Sequence, residues 1–294
     1  MLLVDKPSGM TSHDVVSVVR RAARTKRVGH AGTLDPFATG LLVVAVGSCT
    51  RLLPYLDAEP KVYDSTFRFG VETDTDDATG LPMSEAATPT MLGWPHPLTA
   101  AIASLTGTIQ QVPPSFSAKH INGERAYAVA RRGDAVVLPP VAVTVHEWEV
   151  RAQGGERLDV RITCSGGTYI RALARDLGRA LGSAAHCATL RRIASGRAHV
   201  DQAVSIDQLM PGAIADGAVP LRSPLPLLST MTVVELDDAA VVALSHGRAF
   251  VAHSDGKRAV LVRDGAVVGI AERIDDAVRG PRWQPKVVLL EGDA

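Results

Sequence analysis

Gly29-His30-Ala31-Gly32-Thr33-Leu34-Asp35-Pro36-Phe37-Ala38-Thr39-Gly40 gathers three glycines, a histidine and one carboxylate, then runs directly into an apolar segment over 41–46. Pro36 disfavours helix at Asp35 and pushes that residue toward extended or turn geometry. The glycines permit tight turns and close approach of a second backbone. From this stretch alone two readings stand open. In one, Asp35 only hydrogen-bonds its own turn; in the other, the loop presents a carboxylate for chemistry.

On the N-terminal side of the loop, residues 2–5 read as a short strand, and Lys6-Pro7-Ser8-Gly9 as a turn that leaves Lys6 at the strand end. Thr11 followed by Asp14 has the pattern of a shortened capping box. Val15, Val18, Val19, Ala22 and Ala23 recur at helical spacing, which predicts an amphipathic helix over 12–25 with Arg20, Arg21 and Arg24 on or near its polar side. On the C-terminal side, 41–46 reads as a strand and 52–56 closes a short helix.

Residues 62–69 alternate, with Tyr63, Ser65, Phe67 and Phe69 sharing one face of a strand. Residues 71–97 are acidic, then rich in Pro, Ala and Thr, and read as a loop with a variable insertion. Helices are expected over 98–105 and 125–132, the second ended by Gly133. The segment 111–119 between them is irregular. Strands are expected over 141–150 and 158–164. Ser165-Gly166-Gly167-Thr168-Tyr169-Ile170-Arg171 is a glycine turn opening a helix over 170–181. Ile170, Leu173, Ala174, Leu177 and Leu181 form its apolar stripe. Arg171 falls in the first turn, where a cation opposes the helix dipole and calls for a specific partner. Leu190-Arg191-Arg192-Ile193 lies in a strand; 219–231 reads as a linker, and 232 onward as a small β-rich module.

The chain of 294 residues is 46% hydrophobic, enough for one large domain and a small one. Lys+Arg and Asp+Glu both number 31, so overall charge names no partner. Locally the balance breaks. Residues 1–30 carry Lys6, Arg20, Arg21, Arg24, Lys26 and Arg27 against Asp5 and Asp14. Residues 161–200 carry Arg161, Arg171, Arg175, Arg179, Arg191, Arg192 and Arg197 against Asp176. Acid collects instead at Glu72, Asp74, Asp76 and Asp77. Two basic stretches suit an anionic partner, and equally suit arginines solvated on helix faces.

Cys49, Cys164 and Cys187 are far apart and lack metal-ligand spacing, so they read as core residues of a reducing compartment. The N-terminal apolar run is too short for a signal peptide. No segment approaches the roughly 18 apolar residues that span a membrane. A cytoplasmic protein with no membrane partner is expected. There is no nucleotide-binding P-loop, dinucleotide fingerprint, GxSxG elbow or HExxH motif. The remaining set suits a carboxylate nucleophile or base, kept ionised by arginine and working on a bound anion or nucleic acid.

Several segments together resemble the tRNA pseudouridine synthase B (TruB) family. They are Lys6-Pro7-Ser8-Gly9-Met10-Thr11-Ser12, the loop from Gly29 to Pro36 with Ala38-Thr39-Gly40-Leu41-Leu42, and Tyr63 with the acidic run Gly70-Val71-Glu72-Thr73-Asp74-Thr75-Asp76-Asp77-Ala78-Thr79-Gly80. Pro113-Pro114-Ser115-Phe116-Ser117-Ala118, Gly167-Thr168-Tyr169-Ile170-Arg171 with Asp176-Leu177-Gly178, and Leu190-Arg191-Arg192 continue the series. The resemblance runs in order over residues 2–197. One departure stands out: the family's lysine after the Pro-Pro segment registers on His120, and on Lys119 only after a one-residue shift.

The resemblance implies isomerisation of uridine 55 in the tRNA T-loop to pseudouridine, without metal or organic cofactor. It implies Asp35 as nucleophile, at C1′ of the ribose or C6 of the uracil, with Tyr63 stacked on the target base and helping to remove the C5 proton. Arg171 would pair with Asp35, and Tyr169 and Leu190 would line the pocket. His30 would fill the space left by the flipped nucleotide, and Lys6 would support the active-site strands or nearby RNA. Arg20, Arg24, Lys26, Arg27, Arg191 and Arg192 would hold the phosphate backbone of the T-arm. The implied fold is α+β, a mixed, mostly antiparallel central sheet with flanking helices over 1–225. A small β-rich PUA-like RNA-binding domain over 226–294 completes it. A monomer is expected, with tRNA folding as an additional chaperone role.

Overall fold

In the computed structural model, residues 1–89, 96–116, 120–121, 124–125, 138–213 and 218–290 are described. The helix expected over 125–132 and the Lys119 position lie outside them, apart from Arg125. The fold is α+β, with few helices and a mixed, mostly antiparallel main sheet. Contacts divide the chain into two compact units, one of Met1–Asp35, Leu41–Ala58 and Ser195–Ala294, the other of Pro36–Gly40 and Glu59–Ala194.

In the first unit, strand β1 (Leu2–Lys6) pairs in parallel with β14 (Val204–Ser205). Strand β2 (Val28–Ala31) runs antiparallel to β3 (Thr39–Val46, whose Thr39 and Gly40 belong to the second unit), setting His30 opposite Val44. Helix α1 (Ser12–Ala22) starts at the predicted capping box. Asp14 N–H donates to Thr11 Oγ1 at 3.1 Å, and Thr11 N–H returns to Asp14 Oδ2 at 2.8 Å. Val15, Val16, Val18 and Val19 are buried against Leu2, Val4, Val28, Leu42 and Val44. Each such side chain contributes roughly 1.5–3 kcal/mol of burial.

The helix stops at Ala22, short of the expected 25, because Arg24 turns left-handed with φ 50. Arg24 N–H bonds the Arg21 carbonyl and Thr25 N–H the Arg20 carbonyl, both at 3.2 Å. That pair of bonds is the Schellman closure, whose left-handed residue is usually glycine. A left-handed L-residue costs roughly 1–2 kcal/mol, part of which glycine returns as chain entropy. Arg24→Gly is therefore expected to raise stability by about 0.5–1 kcal/mol. A urea midpoint shifted upward at unchanged slope would show it.

The same unit carries a 3-10 turn at Gly47–Tyr55 and five further strands, β15 (Thr232–Glu235), β16 (Phe250–Val251), β17 (Arg258–Arg263), β18 (Ala266–Asp276) and β19 (Gly280–Val288). Their sheet order is β15-β17-β18-β19-β16, the expected β-rich module. It also holds a helix absent from the expectation, α4 (Asp238–Ser245), capped by the Asp237 carboxylate on Ala240 N–H at 2.7 Å. The reading of 219–231 as a linker is corrected. Leu225–Leu228 forms a 3-10 turn whose Leu227 packs with Met1, Leu3 and Leu41, while Leu228 packs with Leu52, Val260 and Val262. Apolar burial, not chain flexibility, decides that segment.

In the second unit the order is β12 (Ala185–Ser195, with Ser195 itself in the first unit), β4 (Lys61–Phe69), β11 (Arg157–Cys164), β10 (Val141–Gly154) and β7 (Gly107–Gln111). The alternation in β4 holds, since Tyr63, Ser65, Phe67 and Phe69 are all buried. Phe67 meets Trp148 edge-on, with ring centroids 6.0 Å apart. Helices α2 (His96–Ser104) and α3 (Ile170–Ala180) match those expected over 98–105 and 170–181. The short pairs β5 (Val71–Thr73) with β6 (Pro82–Glu85), and β8 (His120–Ile121) with β9 (Glu124–Arg125), are further strands of this unit, and β13 (Ala198–His199), in the first unit, follows β12 in sequence. The first of these pairs corrects the loop expected over 71–97. Its start is a hairpin leading into the buried Asp76 and Asp77, because this acidic run has cationic partners within the chain.

Candidate active site

Asp35 is half-buried and sits one residue beyond the buried Leu34. Both backbone groups of Leu34 are held by one hydroxyl. Ser12 Oγ accepts from Leu34 N–H at 2.9 Å and donates to the Leu34 carbonyl at 3.1 Å. Ser12 is itself 3% exposed and opens α1. Lys6 is fully buried, its Nζ donating to the Pro7 and Met10 carbonyls at 2.9 and 2.7 Å. It braces the turn between β1 and α1. His30 stands half-buried on β2. Arg20 is also half-buried and donates to the Val28 carbonyl at 3.3 Å, while Arg21, Arg24, Lys26 and Arg27 are exposed.

At the far end of the loop, Gly40 pairs in parallel register with Arg192 at φ 97. A β-carbon there would overlap the Arg192 carbonyl oxygen, so close backbone approach explains this glycine. The pairing brings Thr39 and Gly40 beside three residues singled out in the sequence. Thr39 Oγ1 lies 3.5 Å from the Leu190 carbonyl and 3.5 Å from Arg191 Nη1. Leu190 is buried and Arg191 half-buried. Arg192 has no accessible surface at all. A phosphate backbone contact by Arg192 does not fit that burial, because phosphates of a docked RNA lie at the protein surface.

In the second unit, Tyr63 is buried on β4, opposite Ile162 of β11. Tyr169 caps α3 through a side-chain amide from another strand. Gln111, fully buried, accepts from Tyr169 N–H at 2.9 Å and donates to its carbonyl at 3.1 Å. Arg171 is 3% exposed. Its guanidinium donates to the Thr75 carbonyl at 2.7 Å and the Phe116 carbonyl at 3.0 Å, and lies 3.4 Å from Asp77 Oδ2. These acceptors account for a cation in the first turn of a helix.

Arg171 opens a ladder. One and two turns on, Arg175 meets Asp76 at 2.7 Å and Arg179 grips Glu72 with two bonds of 2.8 Å. The spacing of four along α3 aligns three guanidiniums on one face, where the run 72–77 supplies three carboxylates. Arg175 also donates to Asp176 and to the Val112 carbonyl, both at 2.9 Å. Burial pushes the Asp76 carboxyl up to about 6, against the pull of Arg175 and Arg171. Asp76 also takes a left-handed φ of 58, uncommon for a non-glycine residue. Asp77 Oδ1 closes the turn by accepting from Thr75 Oγ1 at 2.8 Å, Thr79 N–H at 2.9 Å and Thr79 Oγ1 at 2.6 Å.

This ladder revises the charge reading. Arg161 pairs with Asp64 across β11 and β4, at 2.6 and 2.7 Å, holding the Asp64 carboxyl below its usual range. Four of the seven arginines in 161–200 therefore face acids of the same chain. Much of the basic excess there is neutralised within the chain. Sequence reading missed Asp76, Asp77, Arg175, Gln111 and Ser12 as organisers. The spacing of four between Arg171, Arg175 and Arg179, in a chain whose acid collects at 72–77, was a signal for the first three. The Ser12 and Gln111 bonds span 22 and 58 positions and leave no local mark.

Residues 20–170 match the family model for the TruB family pseudouridylate synthase N-terminal domain, and 171–219 the model for the tRNA pseudouridylate synthase B C-terminal domain. A protein of Arthrobacter sp. (strain FB24) named tRNA pseudouridine synthase B is 43% identical over 92% of this chain and 91% of its own. One of the same name from Thermobifida fusca (strain YX) is 43% identical over 98% of both. Among solved structures, a chain of an H/ACA RNP bound to a substrate RNA containing 2′-deoxyuridine aligns at TM-score 0.70. That alignment has 21% identity and covers 98% of this chain and 84% of the other, which is a likeness of fold.

Proposed function

The chain belongs to the TruB family of pseudouridylate synthases, and from that premise we propose that it converts uridine 55 in the T-loop of tRNA to pseudouridine. The observation that carries this reading is full-length similarity, at 43% identity over 98% of both chains, to a relative named for that activity on tRNA. The reaction is an isomerisation. The N1–C1′ bond breaks, the uracil turns, C5 bonds to C1′, C5 gives up its proton and N1 gains one.

Asp35 is assigned as the nucleophile, attacking C1′ or C6. A uridine stacked inside a folded loop must first swing out, at a cost of a few kcal/mol. Tyr63 is assigned as the aromatic that receives it, since stacking on a ring returns about 1–3 kcal/mol per base. Arg171 is assigned as the cation that favours the ionised attacking carboxylate. Tyr169 and Leu190 line the pocket in this reading, and His30 takes the place the nucleotide leaves. Exposed Arg24, Lys26 and Arg27, with half-buried Arg20 and Arg191, are proposed to hold the T-arm phosphates. Residues 226–294 are proposed as a PUA-like RNA-binding module, and a tRNA-folding role would draw on the same surfaces.

The test is tritium release from C5-labelled uridine in a tRNA transcript. Stoichiometric release is expected from the intact transcript, and none of it from a transcript whose T-loop uridine is replaced. Release that persists in the replaced transcript would reassign the target position. Free uracil as product would point to a glycosidase, which ordinarily uses two carboxylates.

A further inference from the structure

Asp35 follows a residue whose backbone has an unusual tether. The Leu34 N–H and carbonyl both bond Ser12 Oγ, at 2.9 and 3.1 Å, across 22 positions of sequence. Ser12 is 3% exposed and Leu34 4%, so water does not compete for these bonds. On the other side of Asp35, Pro36 restricts its backbone to extended geometry. The carboxylate is thus carried on a backbone restrained from both directions. Ser12 belongs to the first turn of α1, whose valines are locked into the core. Rigid secondary structure therefore reaches the loop through one hydroxyl.

We infer that Ser12 is a positioning residue for Asp35, holding the carboxylate at its attack geometry through the Leu34 peptide groups. The inference rests on the assignment of Asp35 as nucleophile. A hydroxyl serves here because it can accept and donate at once. Alanine would leave two buried peptide groups without that partner and let the loop shift. A displacement of order 1 Å in a reacting group costs on the order of 100-fold in rate.

The experiment uses the full chain and a tRNA transcript carrying C5-tritiated uridine, reading single-turnover release and tRNA affinity side by side. Ser12→Ala is expected to slow the chemical step about 10- to 100-fold while Kd stays within about threefold. Ser12→Thr, which keeps the hydroxyl, is expected to stay within about fivefold of the wild-type rate. Val19→Ala removes core methyls from the same helix. It is expected to lower Tm at least as far as Ser12→Ala, yet to react within about twofold of wild type at a temperature where all variants are folded. A wild-type rate in Ser12→Ala overturns the inference. So does equal slowing in Val19→Ala, which would make helix stability the cause, or a Ser12→Thr variant as slow as Ser12→Ala. Asp35→Asn in the same assay separates the two levels. Activity there removes the nucleophile assignment beneath the inference; an inert Asp35→Asn beside a fully active Ser12→Ala removes only the positioning role.

Discussion

Asp35→Asn is expected to lower pseudouridine formation at least about 1,000-fold, while tRNA binding stays within a few-fold of wild type. Asparagine keeps the size and planarity of the side chain and the Ser12 tether acts only on Leu34, so the loop is retained. What disappears is the anion assigned the attack. A carboxylate nucleophile splits one hard displacement into two easier steps, and an amide oxygen does not replace it. Binding, as proposed, draws instead on phosphate contacts and stacking, which the substitution leaves alone. Single-turnover tritium release beside a filter-binding titration measures both quantities. An Asp35→Asn variant that turns over would overthrow the covalent role. A variant that loses binding and turnover together would mean that Asp35 holds RNA.

The second large effect is on stability. Asp76→Ala is expected to cost about 3 kcal/mol, because it leaves the buried Arg175 guanidinium without its partner at 2.7 Å. The cost falls at the lower end for such pairs, since Asp176 and the Val112 carbonyl still accept from Arg175. Alanine also tolerates the left-handed φ of 58 poorly, whereas asparagine adopts it readily. Asp76→Asn therefore separates loss of charge from backbone strain.

A pH signature accompanies the pair. Burial raises the native Asp76 carboxyl from 3.8 to about 6. Between those values the folded chain holds a proton that the unfolded chain has released. Its contribution to stability is thus fully present below about 4 and is lost as pH rises through about 6, by up to about 3 kcal/mol. Stability of wild type relative to Asp76→Asn should accordingly be greater at about pH 4.5 than at about pH 7. Urea unfolding at both values checks this, and an equal gap at the two would contradict it.

Local elements were legible where the pattern was local. The valine spacing of α1, its Thr11–Asp14 cap and the Tyr63–Phe69 alternation emerge from the chain as read, because each depends on residues within one or two turns. The end of α1 was not legible. Its closure needs a left-handed arginine where glycine is the usual mark. Helix α4 buries Leu244 alone and so shows no apolar stripe, leaving the Asp237 cap as its local mark. The stretch 219–231 reads as a linker because its prolines and serines surround leucines that serve two different cores.

For the site, the chain alone determined which groups are on offer and left the carboxylate open to act as nucleophile or base. Asp35 before a proline, Tyr63 on a half-buried strand and Arg171 at a helix start are fixed by residue type and local geometry, and their motifs identify the family. Tertiary structure decided which charges are available for anything else. Arg171, Arg175 and Arg179 meet Asp77, Asp76 and Glu72 over separations near 100 positions. A composition count cannot tell such a ladder from a basic surface. The same holds for the Ser12 hydroxyl on Leu34 and the Gln111 amide on Tyr169. A hydrogen bond over such distance is chosen by where folding sets two strands of backbone, and a side chain carries no local trace of the partner it will meet.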